Sequence, residues 1–113
     1  GALQGVQGNM GAAAQIFEHV GQANPQRYRV WLNLAHAHIA MGNRDAALRA
    51  YRRSLAARPE KREVYIELIQ FFLQEGDAHN AEKILQQALH YHPQDAARLR
   101  QLYVNTRTRN AKK

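Results

Sequence analysis

The chain has 113 residues, no cysteine, a formal charge of +7 and a pI near 10.3. Such a length holds one compact domain or a short run of repeats. The missing thiols exclude disulfides, thiolate metal sites and a cysteine nucleophile, and leave reducing and oxidising compartments both open. No run reaches the ~18 apolar residues of a membrane-spanning helix, and the excess of Lys and Arg favours an acidic partner.

Residues 1–8 are rich in Gly and Gln without a sustained apolar period, and they are expected to fray. From Asn9 onward Ala12, Ala13, Ile16, Phe17 and Val20 recur at helical spacing. They predict a helix over about residues 9–22, with Asn9 as its N-cap and Gly21 near its end. Asn24-Pro25 then punctuates the chain, because proline lacks an amide donor and suits a first helical turn. A second helix is expected over about 26–41 on Tyr28, Trp31, Leu34, Ala35, His38 and Ile39, closed by Gly42 in a left-handed cap. Asn43 is placed to cap a third, about 44–57, with Ala46, Ala47, Ala50, Tyr51, Ser54 and Leu55 inward. The same logic repeats with Tyr65, Leu68, Ile69 and Phe72 over about 61–75 and with Ala81, Leu85, Ala88 and Leu89 over about 78–91. A last helix, about 94–107, carries Leu99, Leu102 and Tyr103. The polar, basic residues 108–113 are expected to be disordered.

The punctuation is periodic. Pro25, Pro59 and Pro93 are evenly spaced, as are Gly8, Gly42 and Gly76, followed by Asn9, Asn43 and Asp77. The recurring positions Trp31, Leu34, Ala35, Ala47, Tyr51, Ser54 and Pro59, echoed by Tyr65, Leu68, Ile69, Ala81, Leu85, Ala88 and Pro93, resemble the tetratricopeptide repeat (TPR), a helix-turn-helix unit with this order of aromatic, small and proline sites. The resemblance implies an all-α fold of TPR helix-turn-helix repeats stacked in a right-handed superhelical solenoid segment. It divides the chain into the second helix of a truncated repeat (9–25), complete repeats at 28–61 and 62–95, and the first helix of a following repeat or a cap (96–107). A chain that opens without Met and midway through a repeat is expected to be a piece of a longer protein.

Chemistry is sparse. His36 with His38 and His90 with His92 are two apart, which turns them to different helix faces instead of towards one metal. Ser54, the sole serine, stands at a small-residue packing site. The spacing of Gly5, Gly8 and Gly11 follows no strand and lacks the Lys-Ser/Thr of a phosphate loop. No catalytic residue, metal or cofactor is therefore assigned, and the chain is not expected to be an enzyme.

The resemblance implies an interaction scaffold that holds a peptide or folded domain in a concave groove lined by the first helix of each repeat. By position that lining is Arg29, Leu32, Asn33 and His36, then Glu63, Ile66, Glu67 and Gln70, then Arg100, Gln101 and Arg107, with Ala40, Leu73 and Val104 beside them. Glu63 and Glu67 stand where carboxylate-binding relatives would offer Lys and Arg, so that mode is rejected. The alternative is a polyanion or nucleic acid held on the basic outer face of the third helix at Arg44, Arg49, Arg52 and Arg53. That charge does not recur: Gln15, Glu18 and His19 match one repeat back, and Lys83, Gln86 and Gln87 one repeat on, so a phosphate track is disfavoured. Ile16, Phe17 and Val20 are expected to promote self-association. The Ala, Arg and Gln bias points to a bacterial source, and a cysteine-free array of this kind resembles the periplasmic scaffolds of bacterial exopolysaccharide exporters, which favours periplasm over the alternative of a cytoplasmic assembly scaffold.

Overall fold

The computed structural model describes residues 2–111, with side chains described for residues 9–109. Gly1, Lys112 and Lys113, which end the segments expected to fray or to be disordered, lie outside the described residues. Among the described residues there are six α-helices and no strand: α1 (Ala2–Ala23), α2 (Tyr28–Ala40), α3 (Arg44–Ala57), α4 (Arg62–Gln74), α5 (Ala78–Tyr91) and α6 (Ala96–Ala111), the last preceded by a single 3-10 turn at Pro93–Asp95. One compact unit runs to Pro59 and a second starts at Glu60.

The glycine turns form as the sequence dictates. Gly42 and Gly76 have φ of 78° and 77°. After α2, Asn43 N donates to His38 O at 2.8 Å and Gly42 N to Ile39 O at 3.0 Å; after α4, Asp77 N donates to Phe72 O and Gly76 N to Leu73 O in the same pattern. These paired bonds satisfy the carbonyls left over at each helix end, and only glycine takes the required backbone without strain.

The matching Gly8-Asn9 does not make a turn, because α1 runs through both from Ala2 to Ala23. Asn9 is thus not an N-cap. Gly and Asn disfavour a helix interior by only about 1 kcal/mol or less each, and the Ala, Leu and Gln residues around them are good helix formers. A matching register alone does not break the helix. The basic end departs in the same direction, since residues 108–111 continue α6. Thr106, 3% exposed, anchors that last stretch, and Arg and Ala propagate helix well. Pro25 and Pro59 stand in the turns ahead of α2 and α4, whereas Pro93 opens the 3-10 turn.

In the first unit α2 packs against both α1 and α3. Ala35 and Ala47 are fully buried, so no side chain beyond a methyl holds α2 and α3 apart there. Trp31 and Tyr51 are buried as well, the indole Nε1 donating to Pro25 O at 2.9 Å. Having neighbours on two sides widens the buried face of α2, which takes in Leu32 and Ala37. Leu32, expected to line a groove, is therefore a core residue, while Ile39, expected inward, is exposed.

In the second unit α4, α5 and α6 pack on one another. Tyr65, Leu68, Ile69, Leu85, Leu99 and Tyr103 form its core, together with Val64 and Phe71, which the expected stripe omitted. Two polar contacts fix the entry to α6: Arg62 Nη1 donates to Asp95 Oδ2 at 2.7 Å, and His92 Nε2 lies 2.7 Å from Glu60 O.

Candidate functional site

The helices meant to line the groove present their polar residues unequally. On α2, Arg29, Asn33 and His36 are exposed and Leu32 is not. On α4, Glu63 is exposed while Ile66, Glu67 and Gln70 are half-buried and Leu73 is buried, because α4 is covered by both α5 and α6. Arg100, Gln101, Val104 and Arg107 on α6 are all exposed. Gln101 Nε2 donates to Asn105 Oδ1 at 2.9 Å within the helix, and Val104 keeps 53% of its surface open. Of the expected lining, these two packed helices carry outside the core two acidic residues (Glu63, Glu67), four basic or amide ones (Gln70, Arg100, Gln101, Arg107) and two aliphatic ones (Ile66, Val104). The surface is mixed in sign and has an apolar element, Val104.

The basic residues of α3 have a different setting. Arg44, Arg49, Arg52 and Arg53 are exposed, and two of them, Arg49 and Arg53, line a groove of about 480 Å³ in the first unit. Its other walls come from α1 (Gln15, Glu18, His19, Gln22), and its floor is Ala14, Leu34, His38, Ala46 and Ala50. The groove exists because α2 lies between α1 and α3, and small residues face the gap. Sequence periodicity had marked the arginines but not the groove, which depends on side chains from three separate helices.

Arg53 is held in place. Its Nη1 donates to both carboxylate oxygens of Glu18, at 2.8 and 3.1 Å, and its guanidinium lies 5.0 Å from the centroid of the Trp31 ring. Glu18 thus neutralises one of the charges that a polyanion would have used. His38 forms no hydrogen bond with the described residues; its Nδ1 is buried and unpartnered. Ser54 is fully buried and its Oγ donates to Tyr28 O at 2.8 Å, which makes the sole serine a structural group. No set of three His, Cys, Asp or Glu side chains gathers to hold a metal among the described residues, and no described helix is long and apolar enough to cross a membrane.

Comparison with known proteins agrees with the periodic turns and small-residue helix contacts. The sequence profile of the tetratricopeptide repeat matches residues 7–65 and again residues 40–105. No curated protein matches the chain closely enough to count as a relative. Repeats of this kind generally mediate protein–protein interaction. With matched segments that together take in all three helix-turn-helix registers, the chain belongs to the tetratricopeptide repeat family.

Proposed function

We propose that the protein is a non-catalytic scaffold that docks a partner protein on the exposed faces of its first-in-repeat helices, with the adjoining faces of α4 and α6 as the main site. The observation that carries this reading is the exposed Val104 on α6, with exposed Arg100, Gln101 and Arg107 at helical spacing around it, on a helix that packs against α4, where Glu63 is exposed. An apolar anchor within a rim of both signs suits a protein surface, where charge sets association rate and register more than affinity. Glu67 and Gln70 on α4 extend this contact set, and Arg29, Asn33 and His36 on α2 form a separate candidate contact on the first unit.

A pull-down with wild-type protein, followed by the variants Glu63→Lys with Glu67→Lys and, separately, Val104→Asp, tests it. A partner lost by both, with helicity unchanged by circular dichroism, supports the reading. A partner that survives both and is lost on reversing Arg49, Arg52 and Arg53 moves the site to α3. The finer setting, envelope exopolysaccharide export in the periplasm, rests on the likeness of a cysteine-free repeat array to such scaffolds, and its periplasmic part is tested by locating the protein in fractionated cells. Self-association through Ile16, which is 61% exposed, is tested by sedimentation of Ile16→Ser against wild type.

A further inference from the structure

We propose that the groove between α1 and α3 is a second binding site, and that its occupant is an acidic peptide segment carrying aliphatic side chains. Two features of the groove select that chemistry. The first is the unequal state of its two arginines. Arg53 is occupied by Glu18 and by the Trp31 ring, whereas Arg49, one turn away on the same wall, makes no hydrogen bond or ion pair with the described residues. An incoming carboxylate meets Arg49 without displacing anything, and charge-assisted bonds of that kind are the strong ones. His19 and His38 also line the groove, and Glu18, the acidic wall residue, is already paired with Arg53.

The second feature is the floor. Ala14, Leu34, Ala46 and Ala50 form a shallow apolar bed, which takes aliphatic side chains. It offers no Phe, Tyr or Trp face for a nucleobase, only the imidazole rings of His19 and His38, and single-stranded nucleic acids depend on broad stacking faces. The basic residues also fail to recur at the repeat period, so phosphates beyond this one groove would find no matching cations. Charge and floor together favour alternating carboxylates and aliphatics over a polyphosphate backbone.

The site is distinct from the α4/α6 face, so one can fail without the other. The test uses the whole chain and a short fluorescein-labelled peptide of alternating Glu and Leu, read by anisotropy. Peptides of alternating Lys and Leu and a single-stranded oligouridine serve as comparisons. Saturable binding of the Glu/Leu peptide alone is expected. Arg49→Glu should weaken it about tenfold or more, the loss of one charge-assisted contact. Ala46→Leu, at a half-buried floor position that tolerates a larger side chain, should weaken it by filling the bed. Glu18→Gln should instead strengthen it several-fold by releasing Arg53, while Glu82→Gln, the same charge change at an exposed position of α5, should not. The Glu63→Lys, Glu67→Lys variant should bind the peptide no more weakly than wild type. The proposal is overturned if the Glu/Leu peptide fails to bind at about millimolar concentration, if Arg49→Glu and Ala46→Leu bind as wild type does, or if oligouridine binds in preference.

Discussion

Gly21 on α1 lies directly against the indole of Trp31 on α2: a Cβ at position 21 would come within 2.7 Å of Cη2 and 2.8 Å of Cζ2 and Cζ3. The indole cannot retreat easily, since Nε1 is bonded to Pro25 O and Arg53 covers the ring. Glycine is therefore required here by space, in the last turn of a helix that would otherwise prefer alanine. Gly21→Ala gains up to about 1 kcal/mol of helix propensity and loses about 1–3 kcal/mol to overpacking. A net loss of about 1–2 kcal/mol by urea unfolding is expected. Gly11, on the same helix, is the internal control, because its added Cβ would find only Met41 Sδ at 3.9 Å. Gly11→Ala should stabilise by about 0.5–1 kcal/mol.

This relationship marks the limit of what the sequence could tell. Gly42 and Gly76 were legible because a turn between helices needs a left-handed residue at a fixed point of the period, and the backbone alone decides that. The small sites Ala35 and Ala47 were legible for a similar reason, as two helices cannot approach without them. Gly21 was read only as a helix end, since its purpose lies in a ring on another helix. Leu32 was misplaced because a periodic stripe counts one buried face, whereas α2 is covered from both α1 and α3. The α1/α3 groove escaped altogether: its walls come from residues 14–53, and no spacing within one helix announces them.

Two buried hydroxyls offer opposite outcomes. Ser54 Oγ donates to Tyr28 O, while Thr106 Oγ1 is buried with no hydrogen-bond partner among the described residues. A buried polar group left unpaired is worth removing, and one that is bonded is not. Thr106→Val keeps the shape and should raise stability by about 1 kcal/mol. Ser54→Ala should lower it by up to about 1 kcal/mol, even though alanine stands at the equivalent site, Ala88, which is fully buried. Chemical denaturation of both variants checks the pair, and equal signs would contradict it.

The two glycine turns differ in their caps. Asp77 Oδ1 accepts from Asn80 N at 3.1 Å and Oδ2 accepts from Asn80 Nδ2 at 2.6 Å, whereas Asn43 makes no side-chain cap bond. Bonds to the Asn80 amide and side chain hold the Asp77 carboxyl below its usual range. A depressed carboxyl pKa contributes stability that is present above the unfolded value of 3.8 and lost as pH falls through the folded one. Asp77→Ala should therefore lower the Tm at neutral pH and converge on wild type in acid. Asn43→Ala should change little at either pH.

Tyr65, which is 1% exposed and stacks on Tyr91 with ring centroids 6.1 Å apart, contributes to the alkaline side of the stability profile. Burial first, then Tyr91 and Glu60, pushes the Tyr65 hydroxyl up to about 12 from 10.0. All three disfavour the phenolate in the folded chain, so the native state holds this proton after the unfolded state has released it. The stabilising contribution is complete below pH 10 and is lost between pH 10 and about 12. Tyr65 should therefore be among the last of the five tyrosines to ionise when phenolate absorbance is followed with rising pH. In Tyr65→Phe a phase near pH 12 should lose amplitude, and the urea midpoint should fall less steeply across that window than in wild type. Below pH 10 the two proteins should differ by a constant amount, since neither side chain then changes charge. A Tyr65→Phe variant that keeps both the late phase and the wild-type slope would assign the alkaline transition to another group.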